Sequence, residues 1–166
     1  MTTERYYGKY RGTVENNVDD RETGRIEVGV STVMGAGNKN WAMPCVPYAG
    51  NGVGLFAIPP RGTSVWVEFE GGDPGRPIWT GCFWNEGEKP VDPYTVDKKV
   101  LKTAQGTITI NDASDSAGIT IETNSNPKMK IVLDSNGIEI NTGNSKIMLA
   151  ANPKQVSIND GALEVI

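Results

Sequence analysis

The stretch Lys130-Ile131-Val132-Leu133-Asp134-Ser135-Asn136-Gly137-Ile138-Glu139-Ile140 contains two short strands and the turn between them. Apolar residues recur at every second position, Ile131 and Leu133 before the turn and Ile138 and Ile140 after it, a period that marks strands and not helices. Asp134-Ser-Asn-Gly137 carries turn chemistry, since Asn and Gly tolerate positive φ, and Asn159-Asp-Gly161 repeats it. Outward from this hairpin the same apolar-x-apolar pair returns as Ile108/Ile110, Ile119/Ile121, Ile147/Leu149, Val156/Ile158 and Leu163/Val165. Successive pairs start 7 to 12 residues apart. Spacing that short and irregular indicates stacked short strands.

Thr, Glu, Ser or Lys sits between the apolar positions, so each strand has one apolar face. Residues 95–166 contain no Phe, Trp, Tyr or Cys and no helical periodicity that could supply a cover. A core needs two layers, so the cover is expected from other copies of the chain. The smallest closed solution is three sheets leaning together as a triangular β-prism, a trimeric β-helix. Its axis would be filled by Ile108, Ile110, Ile119, Ile121, Ile131, Leu133, Ile138, Ile140, Ile147, Leu149, Val156 and Ile158. At about 4.8 Å per strand it would form a rod of roughly 35 Å. Two other covers compete with it. A monomeric sandwich with the N-terminal region is opposed by that region's use of its own apolar residues. A single-chain parallel β-helix is opposed by repeats shorter than the ~20 residues its coils require. Antiparallel meander and intertwined chains both remain open for each prism face.

The composition changes abruptly after Tyr94. Every aromatic, both cysteines and eight of the 10 prolines lie at or before it. Before the break, Tyr6, Tyr10 and Val14 alternate with Lys9, Arg11, Thr13 and Glu15, and Ile26, Val28 and Val30 alternate with polar residues. Trp41–Pro47, Gly52–Ile58, Ser64–Glu70 and Pro77–Phe83 follow, separated by Gly- and Pro-rich turns. Pro44 and Pro47 place their segment at an edge or in a loop. Five or six short strands, with Gly where a sheet must bend, suit a small closed barrel of the OB type. The expected organisation is all-β: an OB-fold barrel over 1–86, a polar linker over 87–102 and the trimeric prism over 103–166.

From Trp41 to Trp84 the order of pieces resembles the OB domain of phage baseplate spikes and of type VI secretion valine-glycine-repeat proteins. The pieces are Trp41 with Pro44, Gly54-Leu-Phe-Ala-Ile-Pro59, Gly62-Thr-Ser-Val-Trp-Val-Glu-Phe-Glu70, Gly72-Asp73-Pro74-Gly75-Arg76-Pro77 and Trp79-Thr-Gly81. Asp73-Pro74-Gly75 is read as a tight turn between two barrel strands, with Pro presetting φ and Gly supplying a positive φ. The resemblance implies a homotrimer whose barrel sits on a baseplate hub ring and whose prism pierces a target membrane transiently. With five residues before the first strand, the hub is expected to be a separate protein. The family's PAAR-like tip proteins suggest a platform made by Leu163, Val165 and Ile166; plugging of the prism axis by the same residues has equal standing.

Several functions weaken on composition alone. The chain has no His, which removes His-based triads, zinc motifs and the iron-holding His-x-His tip of some relatives. No cofactor and no metal is expected. A net charge of -4 and a pI near 4.9 argue against nucleic acid as a partner. Cys45 and Cys82 lack CxxC spacing and read as buried reduced thiols. No apolar run reaches the roughly 18 residues of a membrane helix, and the start is not a signal peptide. Asp19, Asp20, Glu68, Glu70 and Asp73 are expected in water, not paired as an acid and base, so no enzyme is expected. The alternative to a spike is an OB module for carbohydrate or nucleic acid with a β-rich oligomerisation stalk, using Trp66, Trp79 and Trp84 as stacking platforms.

Overall fold

The computed structural model describes residues 4–165 and is all-β apart from two single turns of helix. The chain divides into two compact units, the first ending at Glu88 and the second beginning at Lys89.

The first unit is built on β1 (Tyr10–Asn16), β2 (Ile26–Gly29), β3 (Asn40–Pro44), β4 (Ala49–Gly50), β5 (Val53–Gly54), β6 (Ser64–Phe69) and β7 (Pro77–Cys82). Five of these close into a barrel in the order β1-β2-β3-β7-β6, with β3 and β7 parallel and the other pairs antiparallel. Period-two alternation sends Val14, Ile26, Val28, Val30, Ala42, Val65, Val67, Phe69 and Trp79 inward as one buried cluster. Burying each Val or Ile there contributes about 1.5–3 kcal/mol. Trp79 also needs a polar partner, and its indole Nε1–H donates to the Gly24 carbonyl at 3.2 Å.

Three expectations for this unit are corrected. The Trp41–Pro47 segment divides: Trp41–Pro44 belongs to β3, which lies between β2 and β7 and is not an edge, while residues 45–47 are loop. Pro44 is tolerated because it is the strand's last residue, and the next N–H, of Cys45, donates to Trp79 O at 2.9 Å. Gly52–Ile58 is not one strand. β4 and β5 form a two-residue hairpin, and the chain from Leu55 to Pro60 runs without a ladder, ending in two prolines that have no N–H to give. Cys45 and Cys82 are free thiols but exposed, not buried.

Asp19 is a fourth correction. Expected in water, it is buried, with its side chain 6% exposed. Its carboxylate accepts from Arg25 Nη2 at 2.6 Å and Nε at 3.0 Å, and from the N–H groups of Arg21, Thr23 and Arg25. Arg25 in turn lies 5.0 Å over the Trp41 ring. The Arg25 guanidinium, helped by those N–H donors, holds the Asp19 carboxyl far below the usual carboxylate range. A depressed folded-state pKa contributes stability that is present above the unfolded value near 3.8 and lost as pH falls below it. Asp19→Asn is therefore expected to lower the melting temperature of the barrel at pH 6 by several degrees. The deficit against wild type should shrink as pH falls below about 4, which thermal melts from pH 6 to pH 3 would measure.

The second unit is one eight-stranded sheet: β8 (Lys98–Lys102), β9 (Gly106–Asn111), β10 (Gly118–Thr123), β11 (Lys130–Asp134), β12 (Gly137–Asn141), β13 (Lys146–Ala150), β14 (Gln155–Ile158) and β15 (Leu163–Val165). Each strand pairs antiparallel with the next, so the face that sequence left open between a meander and intertwined chains is a meander within one chain. β8 was expected as part of the linker over 87–102. Lys98-Lys-Val-Leu-Lys102 lacks the Ile-x-Ile pair, but it is an edge strand, where lysines are favoured because they discourage further strand addition.

Candidate assembly face

Antiparallel register decides which side chains share a face, because directly paired residues point the same way. Following the pairs across the sheet gives two columns. The first runs Leu101, Ile108, Ile121, Ile131, Ile140, Ile147, Ile158, Leu163. The second runs Ile110, Ile119, Leu133, Ile138, Leu149, Val156. Every residue assigned to the axis from sequence stands in one of them, and Leu101 is an addition that the sequence reading missed. Its signal was present: Leu101 lies seven residues before Ile108, the shortest spacing seen between pairs.

Most of these side chains remain about 40% exposed, although they are the most apolar in the unit. Side by side, Leu101, Ile108, Ile121, Ile131 and Ile140 line an open apolar hollow, joined by Met129. An apolar surface of this continuity is a mark of an association site. The opposite face is mixed, its central register row running Val100, Thr109, Thr120, Val132, Glu139, Met148 and Ser157. Lys128 pairs with Glu122 at 3.2 Å and Lys130 with Glu139 at 3.4 Å on its flanks.

At the C-terminal edge Leu163 is exposed and pairs with Ile158, while Val165 pairs with Val156. Ile166 lies outside the described residues. The Asn159-Asp-Gly161 joint has positive φ throughout. In the Asp134–Gly137 joint that conformation belongs to Gly137, while Asn136 is held by its N–H donating to Asp134 Oδ1 at 2.8 Å.

In the barrel, Gly72 to Arg76 lie between β6 and β7. Arg76 N–H donates to Asp73 O at 2.9 Å, closing a turn with Pro74 and Gly75 at its centre, and Gly75 N–H donates to Asp73 Oδ1 at 2.9 Å. Gly75 does not take the positive φ expected of it; Gly71 and Gly72 do, at 59° and 75°, within the helical turn Glu70–Gly72. Pro74 presets a turn that continues without left-handed backbone at Gly75. Gly72 is needed for a second reason, since a Cβ there would stand 3.1 Å from Tyr6 N and from the Tyr7 ring. Arg76 pairs with Glu70 at 2.7 Å, and Pro77 opens β7.

The other acids and tryptophans also have defined places. Glu68 pairs with Lys9 at 2.6 Å, and Asp20 with Arg25 at 2.9 Å. Trp79 is core, Trp66 stacks on Phe83 with centroids 4.7 Å apart on the outer face beneath Arg11, and Trp84 is exposed.

A closed five-stranded barrel followed in the chain by a sheet with one uncovered aliphatic face defines a class, a small β-barrel with a separate β-sheet association domain. Residues 10–84 match the type VI secretion system/phage-baseplate injector OB domain, and residues 98–164 match the phage baseplate V C-terminal trimerisation domain. Together the matches span most of the chain, which belongs to the baseplate V family of phage and type VI secretion spike proteins. It is also similar to the actin cross-linking toxin VgrG1 of Vibrio cholerae, with 39% identity over 69 residues. That match covers 42% of this chain and 6% of the relative. The trimerisation-domain match makes the chain a homotrimer of the tail-baseplate and injection-apparatus family.

A face buried only between copies couples folding to association. The melting midpoint of the second unit's β-signal is therefore expected to rise with chain concentration, by a few degrees per tenfold dilution reversed. A concentration-independent midpoint in reversible melts would contradict it.

Proposed function

We propose that this chain is the central spike of a contractile tail baseplate, in a phage or a phage-like injection system. Three copies form a stiff point that the contracting sheath drives through the target envelope, touching the membrane transiently. The observation that carries this reading is the pair of aliphatic columns running unbroken over successive strands, while the opposite face carries Thr, Glu, Ser and Lys with Val132 and Met148 among them on β10 to β14. Such a sheet is dry inside and wet outside when trimeric, which suits a rod passing from water through lipid to water. The barrel is the end that meets a hub ring, and the C-terminal edge is the end that meets a PAAR-like tip protein. No step in this function needs a reactive side chain, and we include the absence of enzymatic activity in the proposal.

Static light scattering of the purified chain tests the assembly: a species near three times 17.9 kDa is expected, and a monomer would overturn the spike. Delivery tests the mechanics. Contractile particles rebuilt with an assembly-defective spike should contract yet fail to injure target cells, and undiminished injury would refute the piercing role. The tip is tested by deleting residues 163–166 and measuring capture of a PAAR-repeat protein. Loss of capture with an intact trimer supports the platform, and unchanged capture removes it.

A further inference from the structure

The second column does not begin at Ile110. Lys99 pairs in register with Ile110, so it occupies the column's first position on the aliphatic face, where every other place in both columns is Ile, Leu or Val. Asp112, two residues beyond Ile110, is on the same side of the strand, and Lys99 Nζ forms an ion pair with its Oδ2. Both side chains are more than half exposed in the single chain, at 58% and 55%. Among the described residues, the one charged pair in these columns thus stands at the β8 end of an otherwise uniform ladder.

Uniformity creates a problem that hydrophobicity cannot solve. If one chain of the trimer slips along the others by a hairpin, about 10 Å, Ile, Leu and Val still meet Ile, Leu and Val, and most of the apolar contact survives. The aliphatic columns drive association but discriminate poorly between aligned and staggered trimers. Lys99 discriminates. In the aligned trimer three Lys99 and three Asp112 lie at one height and alternate in sign. In a staggered one, the lower chain's Lys99 is pushed against a neighbour's Ile119 or Leu133, away from water and from the neighbouring carboxylates. Polar residues at single positions of an apolar seam are known to set register in this way, at a cost in stability.

We infer that the Lys99–Asp112 pair is the register lock of the trimer, a specificity determinant for pairing with second and third copies of this chain. The inference rests on the homotrimer of the preceding reading. It is tested on the full-length chain by light scattering, melting and the amide resonances of the isotope-labelled protein, since a symmetric aligned trimer gives one resonance per residue. Lys99→Leu and the longer, uncharged Lys99→Met are expected to remain trimers and melt several degrees higher. Their β8–β10 amides should split into more than one set. Exchange of the charges, Lys99→Asp with Asp112→Lys, should restore a single set. A single set in Lys99→Leu and Lys99→Met, matching the wild type, would overturn the lock, as would failure of the exchange to restore one. A monomeric wild-type chain would instead remove the trimer beneath it, a separate outcome visible before any variant is made.

Discussion

The Ile138→Asp chain is expected to run as a monomer by light scattering at concentrations where the wild type is trimeric. Ile138 pairs in register with Leu133 on one side and Leu149 on the other, at the middle of the second column. In one chain it is 38% exposed, so an Asp there can keep its water and the sheet can still form. Association removes that option. Three carboxylates would be brought together among Ile and Leu side chains with no cation in either column nearer than Lys99. Each desolvated ion costs several kcal/mol, to which like-charge repulsion adds. That exceeds what one Ile per chain contributes to the interface, about 1.5–3 kcal/mol. A retained far-ultraviolet β-signal with lost trimer mass is the expected pattern; a heat-resistant trimer would show that Ile138 does not face other copies. Glu139→Lys is the control. Glu139 lies on the polar face, 3.4 Å from Lys130. Losing this partly exposed pair costs about 1 kcal/mol, and the trimer should persist.

The second large effect is expected from a single methyl group. Gly137 follows the β11–β12 turn at φ +135°, a conformation that L side chains rarely adopt. A Cβ added there would stand 2.0 Å from Leu149 O and 3.0 Å from the Leu149 carbonyl carbon. These are backbone atoms of β13, paired to β12, so no rotamer change can relieve the overlap. Gly137→Ala must either break the pairing of Gly137 with Ala150 or move the turn. Strain of both kinds amounts to about 3 kcal/mol or more. Because the turn sets register for Ile138 and Ile140, the loss should spread into the assembly face. The expected result is a strongly lowered melting temperature with weakened trimer. A variant melting within 2–3 °C of wild type would contradict the close approach of β13 on which this rests.

The aliphatic face could be read from the chain, and the reason is local. Ile-x-Ile patterns state which side chains share a face, and the turn residues state where the chain reverses, so the members of the two columns followed without tertiary information. Leu101 escaped because β8 carries Lys99 where the other strands have an aliphatic residue, and a strand with one Leu in a run of lysines looks like linker. The alternation of Ile26, Val28 and Val30 was legible for the same local reason. Pro44 in a barrel strand was not, since a proline's acceptability depends on which side of the strand its missing N–H faces.

By itself, the sequence determined that the protein is all-β, that it changes architecture after its last aromatic residue, and that its C-terminal half has an apolar face it cannot cover. These are consequences of side-chain alternation and composition, which act within a few residues. Only the tertiary structure decided the closure of the barrel through the parallel β3–β7 pair, the burial of Asp19 against Arg25, and the exposure of both thiols. It also decided the unbroken antiparallel order from β8 to β15, which turns separate apolar pairs into two columns and sets Lys99 at the head of one. Those features join residues distant along the chain, and pairing energies between strands are nearly alike for many partners. The choice among partners is made by the whole fold, where closure, turn geometry and charge are satisfied together.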